Sequence, residues 1–350
     1  MLKEAEDQAV LGLVVDAAPK AVQDKWRSHA GVVTANFVRI LHYQKQLCEL
    51  FKANDIPLVI LKGTAAVVYY PNPAQRSMGD IDYLVSPEHF DQATELLVTN
   101  GYKIKDDPRA PRHMHVHKDN ISFEQHRFFS SEGIDVERFI LEGMHHIEIT
   151  EIYGTSFPML PKLANGLVLL GHMVQHLKSG LGLRQVIDWM MYVDRVLHDG
   201  FWEAEFQAAA REVRLEKLAI VVTRMCQKYL GLTTDDITWC ADADEQLCDD
   251  LIENLLVSGN FGRRNGDGNR VEFVTASIKR DGLFQRLQRS GEANWKAYKK
   301  HKWLKPFCWI YQSGRYVNRG IKARRSGKQL RDDIDRANKR NKLLRDLEIV

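Results

Sequence analysis

An apolar run that ends at a lysine and a glycine, and a pair of aspartates a short way beyond it, narrow what this chain can fold into more than any other feature. Residues 56–61 are almost uninterrupted apolar, stop at Lys62-Gly63-Thr64 and are followed by Ala65-Ala66-Val67-Val68-Tyr69-Tyr70. The pattern predicts a strand, a glycine turn and a helix opening on Thr64. Glycine lets the backbone approach an anion closely. A helix start presents unpaired N–H groups, the positive end of its dipole and, here, a hydroxyl. Such a turn is a candidate phosphate seat.

The aspartates lie in Arg76-Ser77-Met78-Gly79-Asp80-Ile81-Asp82-Tyr83-Leu84-Val85. Strand side chains alternate, so Asp80 and Asp82 share a face, roughly 6.5 to 7 Å apart along the chain, while Ile81 turns to the core. Two like charges on one face repel, and a divalent cation relieves that repulsion. Mg²⁺ prefers one or two carboxylates together with the phosphates of a substrate. A phosphate seat beside a carboxylate pair therefore points to metal-assisted chemistry on a nucleoside triphosphate.

Gly63-Thr64 followed by Asp80-x-Asp82 resembles the Gly-Ser and Asp-x-Asp signature of the polymerase-beta-like nucleotidyltransferase superfamily. The longer string, Leu61-Lys62-Gly63 with Arg76-x-x-x-Asp80-Ile81-Asp82-x-Leu84-Val85, is similar to its branch of uncharacterised bacterial nucleotidyltransferases. Thr64 stands where serine is more usual, keeping the hydroxyl and adding a methyl. The resemblance spans about residues 35 to 195 and the combined pattern is far more specific than Asp-x-Asp alone.

Upstream, residues 8–50 carry apolar positions at helical spacing (Val33, Phe37, Ile40, Leu41, Leu47), predicting a helix that ends near Phe51 and packs on the sheet. After the aspartates, Ser86-Pro87-Glu88 starts a helix that Asn100-Gly101 ends. A short strand at 102–104 and a loop at 106–111 follow. The alternation His113-Met114-His115-Val116-His117, the turn Asp119-Asn120 and the run from Ile121 to Phe129 predict a β-hairpin.

On its second strand Ser122, Glu124 and His126 share one face, which makes Glu124 the candidate third carboxylate. Glu124-x-His126 also resembles the acidic-x-His pair of the family, although Gln125 and Arg127 depart from the family pattern. The alternative third carboxylate is Glu137, with Glu124 a solvated strand residue. His113, His115 and His117 do not form a closed zinc set and are expected as a surface or substrate-lining face.

From about Pro161 the pattern turns helical. His172 and His176 fall one turn apart on one helix, and Arg184 and Asp188 at the same spacing on the next, where they can pair. This His-x-x-x-His and Arg-x-x-x-Asp arrangement resembles the second, helical part of the family. It would either line the base or acceptor side of the cleft or form a structural polar network. Further helices are expected near 202–230, 244–257 and 270–289, with a mobile loop at 262–269.

The 350 residues suit more than one core. The expected divisions are an N-terminal helical segment (1–29), a nucleotidyltransferase core (30–155), an all-α domain (156–290) and a basic aromatic segment and tail (291–350). The fold class is thus α/β (α+β), a small mixed sheet with an appended helical domain and a basic helical tail. A net charge of +3 conceals how basic that tail is. Trp295, Tyr298 and Trp303 interleave with lysines, a composition that suits phosphate backbones, an anionic surface or simply a solvated helix face.

Five cysteines without CxxC pairs argue against a disulfide framework or a cysteine zinc site. With an acidic N-terminus and no transmembrane segment, the expected location is cytoplasmic. The resemblance implies a metal-dependent nucleotidyltransferase. Asp80, Asp82 and Glu124 would hold Mg²⁺ or Mn²⁺, and Lys62, Gly63, Thr64 and Arg76 the triphosphate, with His126, His172, His176, Arg184 and Asp188 as possible substrate-lining residues. An acceptor hydroxyl or phosphate would attack the α-phosphate and release pyrophosphate. Small molecule, sugar phosphate, protein and RNA acceptors are all compatible with it. The rival is a non-catalytic nucleotide or nucleic-acid binder of the same fold that uses the tail.

Overall fold

The structure is a computed structural model and describes residues 1–105, 112–129, 135–177, 180–258, 282–323 and 327–349. The loop expected at 106–111, the one at 262–269 and most of the helix expected at 270–289 lie outside the described residues.

Two short helices, α1 (Leu2–Asp7) and α2 (Leu11–Val14), precede the long α3 (Lys20–Lys52). Phe37, Ile40, Leu41, Gln44, Leu47 and Phe51 recur at steps of one helical turn and form its buried stripe. Because α3 begins at Lys20, the expected boundary at 29/30 falls inside one helix.

The chain then builds β1 (Leu58–Leu61), α4 (Gly63–Val67), β2 (Ile81–Val85), α5 (Phe90–Thr99) and β3 (Lys103–Lys105). After them come β4 (His113–Lys118), β5 (Ile121–His126), α6 (Glu137–Met144), β6 (Glu148–Ile152) and β7 (Thr155–Met159). The seven strands form one sheet in the order β3-β4-β5-β2-β1-β7-β6. β2 runs antiparallel to β1 and parallel to β5, so the sheet is mixed, as expected. All residues of β1 and β2 are buried, and Phe37, Ile60, Ile81, Tyr83, Phe123 and Phe157 share one core.

Two hairpins close on left-handed turn residues, Asp119 (φ 48°) with Asn120 (φ 65°), and Tyr153 (φ 48°) with Gly154 (φ 73°). Positive φ at both central positions matches the twist of paired strands. The first hairpin was expected and the second, β6–β7, was not.

The helices α7 (Lys162–Leu177) and α8 (Leu183–Val196) follow. They approach so closely that a Cβ on Gly166 would lie 2.5 Å from the Tyr192 hydroxyl. Asn165 Nδ2 donates to the Ala65 carbonyl (3.2 Å) and the Tyr69 hydroxyl (2.8 Å), tying α7 to the turn after β1. Helices at Gln207–Glu212, Glu216–Tyr229 and Glu245–Ser258 continue the α-rich part. Met1–Arg264 and Asp346–Val350 form one compact unit, so the expected division at 155/156 does not separate two.

Asn265–Arg345 form the second unit. Within it the helices Leu283–Asn294 and Cys308–Ala323 meet, and the ring of Trp295 stacks on Tyr311 at 5.0 Å. Trp303, in the lysine-rich segment between them, is 72% exposed. Among the described residues no helix is long and apolar enough to cross a membrane.

Candidate active site

Strand β1 breaks at Lys62, whose φ of 50° and the 24° of Gly63 turn the chain out of the sheet into α4. A left-handed backbone is costly for lysine, and here it swings the Lys62 side chain across β2. Its Nζ lies 2.5 Å from Asp82 Oδ1, with both side chains buried. The register places Leu61 opposite Asp82 on one side and Asp82 opposite Glu124 on the other. Paired residues in a sheet present their side chains to the same face. The predicted convergence of Asp82 and Glu124 is therefore what the sheet register delivers. His126 Nε2 is 3.0 Å from Asp82 Oδ1 and 3.6 Å from Glu124 Oε2.

Lys62, Asp82 and Glu124 line a cleft of ≈200 Å³ with Gly63, Arg76, Asp80, His172, His176 and Arg184. A second cavity of ≈550 Å³ adjoins it, sharing Gly79, Asp80 and Arg184 and walled by Leu11, Val33 and Met78. Its far rim holds the Glu6–His29 pair, 2.6 Å apart.

The electrostatics of the cleft are unbalanced. Burial works to deprotonate Lys62, but Asp82, Glu124 and Asp80 outweigh it and raise its pKa, so the ammonium is charged. Burial also opposes the Asp82 charge, yet Lys62 and His126 hold that carboxyl well below the usual carboxylate range. Asp80 is raised by the Asp82 carboxylate and then by burial. Glu124 is pushed up to about 8, first by burial and then by Asp82. Two of the three acids thus lack compensation.

A donor set of buried, mutually repelling carboxylate oxygens is what a hard dication relieves. The residues present fit such an ion. The donor atoms of Asp82, Glu124 and His126 all lie within 4.8 Å of one another. Asp80 lines the same cleft without belonging to that trio, and His126 takes a donor position that the sequence pattern did not assign to it.

The remaining expected residues fall as follows. The Thr64 hydroxyl is buried and donates to Gln44 Oε1 on α3. Arg76 is buried and grips Asp188 with two 2.6 Å hydrogen bonds, from Nε to Oδ1 and from Nη2 to Oδ2, while the Tyr70 hydroxyl donates to Asp188 Oδ1 at 2.7 Å. Arg184, one turn before Asp188, donates from Nη1 to the Ser77 carbonyl at 3.3 Å and reaches the cleft. His172 and His176 meet through their Nε2 atoms at 2.8 Å. Burial holds His172 well below the ordinary histidine range and brings His176 down to about 4, so both are neutral at pH 7. Glu137, on α6, accepts a 2.9 Å hydrogen bond from the Phe129 N–H.

Thr64→Val tests the placement of that hydroxyl. It removes the donor facing a buried Gln44 oxygen and is expected to cost about 1–3 kcal/mol of stability, measured by denaturant unfolding. The hydroxyl faces α3, so the effect is expected on stability; an unchanged unfolding midpoint would show that the hydroxyl does not serve the packing of α3.

The family described as uncharacterised nucleotidyltransferase matches residues 7–231. No curated protein matches the chain. Among solved structures, an antigenic nucleotidyltransferase-like protein from Paracoccidioides brasiliensis is similar at 11% identity and a TM-score of 0.35, covering 55% of this chain and 89% of that one.

Proposed function

Because the chain belongs to the uncharacterised nucleotidyltransferase family, we propose that it moves a nucleoside monophosphate from a nucleoside triphosphate to an acceptor and releases pyrophosphate. In this reading Asp80, Asp82 and Glu124 hold Mg²⁺ or Mn²⁺, with His126 beside them. When bound, such an ion offsets phosphate charge and lowers the pKa of the attacking group. The observation that carries the reading is the direct pairing of Asp82 with Glu124 across β2 and β5, beside the Lys62-Gly63 turn.

The protein's own groups supply the rest. Gly63 and the backbone of Thr64 let the triphosphate approach, and the charged Lys62 ammonium offsets charge as the bond between the α- and β-phosphates breaks. Arg76 braces the loop that carries Asp80. The neutral His172 and His176, with Arg184, line the far wall of the cleft. An acceptor seated in the adjoining ≈550 Å³ cavity meets the α-phosphate next to Asp80. Its oxygen forms the new bond to phosphorus, pyrophosphate leaves with the old one, and the acceptor's proton passes to solvent.

All five cysteines are free thiols, which accords with a reducing cytoplasm. A second reading, nucleic-acid binding by the basic aromatic segment, is favoured by the exposure of Trp303 among lysines.

A screen of the four ribonucleoside triphosphates with Mg²⁺ or Mn²⁺ tests the first reading. Pyrophosphate is expected from at least one of them in the presence of acceptor mixtures, and chelation by EDTA is expected to abolish it. Pyrophosphate release that persists in EDTA would remove the metal from the reaction. Salt-sensitive RNA or DNA binding with no turnover of any triphosphate would favour the second reading.

A further inference from the structure

Nucleotidyl transfer leaves the histidines of β4 without a role. His113 and His115 project from one face of that strand, and the register sets His115 opposite Glu124 and His113 opposite His126. His115 Nδ1 is 3.5 Å and His113 Nε2 is 3.8 Å from the same carboxylate oxygen, Glu124 Oε1. The two rings stand edge to face with centroids 4.9 Å apart. All three donor atoms lie within 4.8 Å of one another. Donors bound tetrahedrally at about 2.0–2.1 Å from a zinc ion are themselves about 3.3–3.4 Å apart. Small side-chain rotations therefore suffice to close these three onto one ion.

The other oxygen of Glu124 faces the opposite way in this cluster, towards His126 and the Asp82 side. One carboxylate thus stands between two chemically different donor sets. The set at Asp80 and Asp82 is rich in oxygen and suits a hard ion such as Mg²⁺. The other has two imidazoles and one carboxylate, a composition that selects borderline transition metals over Mg²⁺. His113, His115 and Glu124 are each only partly buried, so an ion can reach them and keep an open coordination position. His117 falls on the same face but its Nδ1 is hydrogen-bonded with Ser122 Oγ at 3.1 Å.

We propose that His113, His115 and Glu124 form a binding site for a transition-metal dication of the zinc class, separate from the Mg²⁺ position and sharing Glu124 with it. The site goes beyond the proposed nucleotidyl transfer. Occupancy is read by binding alone, so its failure and that of the transfer reaction are told apart.

The test uses the full chain, stripped with chelator and then dialysed into excess Mg²⁺. Co²⁺ is titrated while its visible absorption is recorded, and Zn²⁺ binding is followed by calorimetry. Wild type, His117→Ala and Asp80→Asn are expected to take up Co²⁺ with the absorption of a nitrogen-containing site. His113→Gln with His115→Gln is expected to weaken uptake by more than about tenfold with the thermal midpoint unchanged. Should that pair fail to fold, His115→Gln alone is expected to show the loss, since the ring is about a third exposed. Unaltered Co²⁺ uptake in the histidine variants overturns the proposal. So does uptake that vanishes in Asp80→Asn and survives in them.

Discussion

Asp80→Asn is expected to lower metal-dependent pyrophosphate release by at least about 10²–10³-fold while leaving the fold as stable as wild type or slightly more so. The two halves of that expectation have one cause. Asp80 is raised by the Asp82 carboxylate and by burial, so in metal-free protein its ionised form weakens the folded state. A carboxyl with a raised folded pKa costs stability as pH climbs above its ordinary value near about 4, and the amide removes that cost. The gain over wild type should thus be absent at low pH and present at pH 7, measured by denaturant unfolding in EDTA.

Asp82→Asn is a poorer probe. It takes the nearest counter-charge from the buried Lys62 ammonium, 2.5 Å away, and is expected to cost about 3 kcal/mol or more. Wild-type turnover by Asp80→Asn would remove the aspartate from the site.

Much of this cleft is legible in the sequence because strand geometry does the positioning. Apolar runs that end at Gly63 and begin after Gly79 define β1 and β2. The Asp119-Asn120 turn sets the β4–β5 register, in which Glu124 lies opposite His115, and the strand alternation of β5 keeps Glu124 and His126 on the face that meets Asp82. α3 is readable from its one-turn periodicity for the same reason. What sequence does not show is which polar partner a side chain takes across the fold. Arg184 is one helical turn from Asp188, yet the carboxylate is held by Arg76, far away in sequence. Thr64 carries the family's hydroxyl, yet packing turns it to Gln44.

The β6–β7 hairpin escapes for a different reason. β6 is an edge strand with its glutamates and Ile149 exposed, and β7 contains Pro158, so neither shows the apolar alternation that marks a strand. Both sides of residue 155 lie in one compact unit. That hairpin joins the sheet through β1, and α7 is fastened to α4 by Asn165.

Asp188→Ala is expected to be the most destabilising single change near the cleft, at about 3–5 kcal/mol, with a fall in thermal midpoint on the order of 10 °C. Burial opposes the charge on Arg76, and Asp188 is the chief influence that overcomes it. Removing the carboxylate leaves a guanidinium and the Tyr70 hydroxyl buried without their acceptor. Replacing both partners, Arg76→Met with Asp188→Leu, is expected to recover the part of the loss that comes from the unpaired buried charge, while the Tyr70 hydroxyl still lacks its acceptor.

The double variant also separates two roles for Arg76. In the folded protein Nε and Nη2 are taken by Asp188 and Nη1 by the Ser77 carbonyl and the Met78 sulfur, 3.3 and 3.2 Å away. That occupancy makes the guanidinium a brace between α8 and the loop ahead of Asp80. The KM for triphosphate should accordingly stay near wild type in the stable double variant while kcat falls as the Asp80 loop loosens. A tenfold rise in KM at unchanged kcat would put Arg76 on the phosphates. A double variant as unstable as Asp188→Ala would show that the ion pair is not what Asp188 contributes.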